Sequence, residues 1–169
     1  MAIRKEQEDH LLTYHCNVEC GFCTRIHAES GHMASEQVVG MMESFARMGT
    51  RWWVFNGGEP TLVKSLGEYI AAGRRLGFHR SMVTNGTRIS ERIDELRDLD
   101  LVICSIHGDR VEHDRVVGRQ GSYEAAIRGL ELLRSHDVAV CLLCVLNERN
   151  RSMMDDLLQL GEQLGAGVA

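Results

Sequence analysis

Five short apolar runs alternate along this chain with five segments of helical periodicity, and that alternation restricts it to repeated βα units joined into a parallel sheet. The expected strands are Leu11 to His15, Arg51 to Asn56, His79 to Thr84, Leu101 to His107 and Val138 to Leu146. In the first helical segment Val38, Met41, Met42, Phe45 and Met48 recur at three- and four-residue steps, with Ser35 as the expected N-cap. Leu66, Tyr69, Ile70, Gly73 and Leu76 form the second stripe, and Ile89, Ile93 and Leu96 the third. Tyr123, Ala126, Ile127, Leu130 and Leu133 after Ser122 form the fourth, and Met153, Leu157, Leu160 and Leu164 the fifth. The single proline, Pro60, falls in a loop and no low-complexity linker interrupts the pattern, so residues 1–169 read as one α/β domain. Parallel strands joined by helices need right-handed crossovers, which curl the sheet toward a barrel or leave it an open twisted layer. Ligand sites then fall at the C-terminal ends of the strands.

A chain of 169 residues buries roughly 70% of its unfolded surface without help from disulfides. Its formal charge is −5, with basic and acidic residues interspersed, so no basic stripe suggests a nucleic-acid partner. The longest apolar stretch, Val138 to Leu146, is far shorter than the ~20 residues that span a bilayer. Met1 to His10 is charged and polar, unlike a secretory signal, and the expected compartment is the cytoplasm. Six cysteines in such a chain point to thiolate ligands or buried thiols more than to disulfides.

Three of those cysteines, Cys16, Cys20 and Cys23, stand within eight residues just after the first expected strand. A loop there can wrap one inorganic centre. An iron–sulfur cluster held by three protein thiolates keeps one iron open for a substrate or cofactor. Gly21 lets the loop turn, and Phe22 supplies an apolar wall. The competing reading is zinc, with His15, His27 or His32 closing a tetrahedron in a binding module. Strand alternation puts Ser105 and His107 on one face and Cys104 on the other, in the core. Cys141 and Cys144 are three apart on an extended strand and so point to opposite faces, which argues against a shared metal.

Cys-x3-Cys-x2-Cys, then Gly57-Gly58-Glu59-Pro60 after the next strand, resembles the radical S-adenosylmethionine superfamily. Thr84-Asn85-Gly86, Ser105-Ile106-His107-Gly108, the run His113 to Gly118 and Gly121-Ser122-Tyr123-Glu124 extend the resemblance through most of the chain. The pattern is most similar to the branch of molybdopterin-precursor synthases and peptide maturases. The resemblance implies a partial parallel (βα) barrel, usually of six units, and a [4Fe-4S] cluster on Cys16, Cys20 and Cys23. It implies reductive cleavage of S-adenosylmethionine to a 5′-deoxyadenosyl radical that takes hydrogen from a peptide or small-molecule substrate. An electron donor such as flavodoxin or ferredoxin is implied with it. For the cofactor site it implies Phe22, Gly57, Gly58, Glu59, Pro60, Thr84, Asn85, Ser105 and His107. Gly57 and Gly58 would let backbone approach the methionine end of the cofactor, where a β-carbon would take the ligand's space. Glu59 would accept from its ammonium group, Ser105 would meet its ribose or carboxylate, and Thr84 or Asn85 would line the same mouth.

Val117 stands before Gly118 where many relatives carry an arginine, leaving that contact to Arg115 or Arg119. Five units of the usual six leave the fifth strand, Val138 to Leu146, without a downstream neighbour. The expectation is that further chain or another subunit covers that edge. A fragment that binds the cluster without turnover unless a partner joins it is the remaining alternative.

Overall fold

The computed structural model describes residues 6–24 and 33–169. Its strands, β1 (Gln7–Leu11), β2 (Trp52–Asn56), β3 (His79–Thr84), β4 (Leu101–Ser105), β5 (Ala139–Leu143) and β6 (Gly167–Val168), pair in sequential order, and every pair is parallel. Helix α1 (Ser35–Arg47) follows β1, α2 (Leu66–Arg75) follows β2, and α3 (Ile93–Leu96) follows β3. Both α4 (Arg110–Val117) and α5 (Ser122–Ser135) follow β4, and α6 (Met154–Leu164) follows β5. Sequential order with crossovers of one hand puts the helices on one face and leaves the other for the barrel interior. This is the expected α/β partial parallel barrel.

The core lies between strands and helices. Trp53 and Phe55 of β2, Met82 of β3 and Leu142 of β5 meet Met42 of α1, Ile70 of α2 and Leu130 of α5, all essentially without solvent contact. Burying each such side chain stabilises the fold by about 1.5–3 kcal/mol. Trp53 stacks on Phe78, with ring centroids 5.4 Å apart, and Cys104 is fully buried as expected.

Several boundaries differ from the sequence expectation. The first strand is Gln7–Leu11, not Leu11 to His15, because β1, which among the described residues pairs only with β2, lies at a sheet edge and tolerates polar residues on its open side. The apolar signal at Leu11 and Leu12 marks where the chain dives into the core, not where the ladder runs. Ser35 is the first residue of α1, not its cap; its hydroxyl bonds Ser65 Oγ at 2.8 Å instead. Ile89 is buried in a turn before the short α3. Helix α4 escapes a reading by periodicity, since its three valines, Val111, Val116 and Val117, make no three- or four-residue stripe.

The fifth strand has a neighbour within the chain. Cys141 pairs with Gly167 and Leu142 with Val168, and the Ala169 amide donates to the Leu142 carbonyl at 2.8 Å. The expectation that the fifth strand has no downstream neighbour is corrected: β6 pairs with it at Cys141 and Leu142. A two-residue strand carries no period of its own and so escapes a reading by periodicity. Among the described residues no helix is long and apolar enough to cross a membrane.

Candidate functional site

The loops that follow β1 and β2 continue side by side beyond the sheet. The amide of Gly58 donates to the Thr13 carbonyl at 2.7 Å and that of Glu59 to the His15 carbonyl at 2.8 Å. So close an approach excludes side chains. A β-carbon on Gly57, whose φ is +148°, would stand 2.5 Å from the Thr13 oxygen, and one on Gly58 would stand 2.3 Å from the His15 oxygen. To the expected room for a ligand the geometry adds a second reason for glycine here: a β-carbon would meet protein. What it would strike is the backbone leading into Cys16.

The cysteine loop is fastened a second time, at the end of α4. Helix ends leave carbonyls without intrahelical partners. The Val117 and Val116 carbonyls accept from the amides of Glu19 and Gly21, at 2.9 and 3.0 Å. Arg119 extends Nη1 to the Asn17 carbonyl at 3.4 Å, whereas Arg115 is held by Glu112. Of the two arginines weighed against Val117, Arg119 is the one that touches the cysteine loop.

Cys16, Cys20 and Cys23 share the wall of one cleft of about 680 Å³, which opens at the C-terminal ends of the strands. Burial pushes the Cys16 thiol up from its ordinary range. Burial, then the charges of Cys16 and Cys23, push Cys20 up to about 11. Three thiolates so placed repel one another, and a multivalent cationic centre is what would let them ionise together. Among the described residues no three His, Cys, Asp or Glu side chains are already gathered around a single ion. A three-thiolate donor set suits an iron–sulfur cluster, or zinc once a fourth ligand is supplied. His15 lines the same cleft, while His27 and His32 lie outside the described residues.

Gly57, Gly58, Thr84, Asn85, Ser105, His107 and Phe22 line this cleft with the cysteines. Glu59 and Pro60 do not. A 3-10 turn at Pro60–Leu62 folds Glu59 inward, where its side chain has no solvent contact. One carboxylate oxygen accepts from the Thr61 amide (2.9 Å), the Thr61 hydroxyl (2.6 Å) and the Thr84 hydroxyl (2.8 Å), and the other from the Asn85 amide (2.8 Å). The expected acceptor for a ligand's ammonium is thus committed to tying β2 to β3 beneath the cleft.

On the opposite wall, the Val145 amide donates to Nδ1 of His107 at 3.3 Å, which leaves the proton of the neutral ring on Nε2. His107 also donates its own amide to Nδ1 of His113 at 3.2 Å. Burial pulls both imidazoles down to about 4, so both are neutral at pH 7. Phe22 meets the His107 ring edge-on at 5.0 Å. Sequence reasoning missed Asn150, which is fully buried and donates to the carbonyls of His107 and Val145, both at 3.0 Å. A lone asparagine in a loop carries no pattern that could have signalled this. Cys141 and Cys144 have separate surroundings: the first donates to the Leu142 carbonyl, and the second accepts from Asn150.

The family model described as the Radical SAM superfamily matches residues 11–161. The chain is 30% identical over 145 residues to the Fe-coproporphyrin III synthase of Methanosarcina barkeri, an alignment that covers 82% of this chain and 36% of that protein. It is 28% identical over 164 residues to the AdoMet-dependent heme synthase of Oleidesulfovibrio alaskensis, covering 93% and 42%. Streptococcus suis SuiB, in its structure bound to S-adenosylmethionine, matches with a TM-score of 0.86 at 14% identity, over 95% of this chain and 39% of that one. SuiB is also known bound to precursor peptide SuiA. At that identity the likeness is one of fold. The chain spans less than half the length of each of these relatives.

Proposed function

This chain belongs to the Radical SAM superfamily, and from that premise we propose that it binds a [4Fe-4S] cluster through Cys16, Cys20 and Cys23 and reductively cleaves S-adenosylmethionine. The observation that carries the reading is one cleft at the C-terminal strand ends whose walls hold all three thiols together with Gly57, Gly58, Thr84, Asn85, Ser105 and His107. Cluster and cofactor, when bound, supply a 5′-deoxyadenosyl radical able to take a hydrogen atom from a substrate.

The chain's own residues bind, orient and exclude. Backbone at Gly57 and Gly58 faces the cleft from β2, and the Ser105 hydroxyl faces it from β4. Ser105 suits a carboxylate or ribose hydroxyl, and the Nε2–H of His107 is a second donor held in a fixed tautomer. Phe22, between two of the cysteines and edge-on to His107, adds an apolar face to the cleft. The substrate is a peptide or a small molecule. The names of the porphyrin-directed relatives and the peptide-bound form of SuiB support that breadth. The electron comes from a flavodoxin- or ferredoxin-type donor.

The test is anaerobic reconstitution with iron and sulfide, followed by reduction with S-adenosylmethionine present and assay of 5′-deoxyadenosine. A brown protein that forms it supports the reading. A colourless protein that takes up zinc in preference would replace this reading with the zinc-stabilised module.

A further inference from the structure

We infer that Asn85 is a redox-tuning residue, whose side-chain amide donates a hydrogen bond to the sulfur of Cys16 and raises the reduction potential of the centre which that sulfur ligates. The inference rests on the cluster reading above and adds to it a residue that sets how readily the centre accepts its electron.

The orientation of an asparagine amide has to be argued from its partners, and here they allow one choice. Asn85 Oδ1 accepts from the Thr87 amide at 3.0 Å and from the Thr87 hydroxyl at 2.7 Å. That fixes the carbonyl side. The Nδ2 group therefore faces the other way, where one hydrogen goes to Asn17 Oδ1 at 2.8 Å and the second to Cys16 Sγ at 3.7 Å. Asn17 is itself held, since its own Nδ2 donates to the Thr87 hydroxyl at 2.9 Å. Flipping the Asn85 amide would set carbonyl against carbonyl at Asn17 and N–H against N–H at Thr87. The main chain is pinned as well, by the Asn85 amide donating to buried Glu59 at 2.8 Å. The result is a donor aimed at a thiol from a residue that is only 9% exposed.

Reduction adds one electron to a cluster, and part of that charge falls on its thiolate sulfurs. A fixed N–H dipole pointing at one of them stabilises the reduced form more than the oxidised form, and the low local dielectric strengthens the effect. Hydrogen bonds to sulfur are among the terms that set iron–sulfur potentials, and such outer partners position the ligand as well.

The test compares the unsubstituted chain with Asn85→Leu and Asn85→Asp after anaerobic reconstitution. Iron and sulfide content is measured, and the midpoint potential is read by paramagnetic resonance during titration with a low-potential reductant. Iron and sulfide content should match in all three proteins. The midpoint should move to more negative values in both variants, further in Asn85→Asp, which keeps the shape but turns a donor into a charged acceptor. Should Asn85→Leu fail to fold, Asn85→Asp carries the test. An unshifted midpoint in a loaded variant overturns the inference, and so does failure of Asn85→Asp to assemble the cluster, which would make the residue structural. An unsubstituted chain with no reducible cluster would instead bring down the cluster reading, and this inference with it.

Discussion

The carboxylate of Glu59 accepts the hydroxyl hydrogen of Thr84 at 2.8 Å, linking the loop after β2 to the end of β3 at a point with no solvent contact. With the Asn85 amide on its other oxygen, this side chain holds two strand ends at fixed spacing directly under the cleft. Its effect on the cleft is exerted through the backbone it fixes.

Glu59→Ala leaves two backbone amides and two hydroxyls without their acceptor in the interior. Orphaned buried donors cost about 1–3 kcal/mol each before relaxation, so a loss of about 3–5 kcal/mol is expected. Glu59→Gln keeps one oxygen and should lose about 2 kcal/mol. Urea denaturation of the apo chain measures both. A midpoint for Glu59→Ala near that of the unsubstituted chain would show that the network adds no stability.

Replacing Cys16, Cys20 or Cys23 with Ala should abolish cluster assembly, because each change leaves two protein ligands. Cys104, Cys141 and Cys144 should be dispensable for it, since the first is in the core and the others bond to separate partners. Absorbance near ~400 nm, typical of thiolate-ligated iron–sulfur centres, reports the outcome. Its persistence in a triad variant would reject the ligand assignment.

Gly58→Val should lose cluster and cofactor together. The added atoms would push on the His15 carbonyl, whose oxygen would lie 2.3 Å from the new β-carbon, and Cys16 is the next residue. Iron content and the response of the reduced centre to S-adenosylmethionine separate the two effects. A fully loaded variant that merely fails to bind the cofactor would instead favour the role read from the sequence, a gap kept open for the ligand.

Stability should fall steeply on acidification from pH 6.5 toward pH 4. Burial lowers His107 and His113 from 6.5 to about 4, so between those values the unfolded chain binds protons that the folded chain refuses. The sign follows: stability is fully present above the unfolded value and is lost as pH falls through the window, by up to about 3 kcal/mol per histidine. Denaturant midpoints of the apo chain at stepped pH check this. A His107→Gln variant should show a shallower slope, and an equal slope would remove His107 from the account.

The order of strands and helices was legible because burial on a strand or helix has a period, and side-chain chemistry repeats it. For the same reason Ser105 and His107 could be placed on the cleft side of β4 and Cys104 in the core, and three thiols on one short loop could be expected at one site, as they are in the cleft. Tertiary structure alone decided what those elements do to one another. It showed that the loop after β1 passes too close to Gly57 and Gly58 for a side chain, that Glu59 turns away from the cleft, and that β6 pairs with β5 at Cys141 and Leu142. It brought the amide of Asn85 to the sulfur of Cys16 across 69 residues of sequence. Periodicity records which side of an element is buried, whereas a polar contact between loops depends on where the crossovers deliver two chain segments, and no repeat in the sequence encodes that distance.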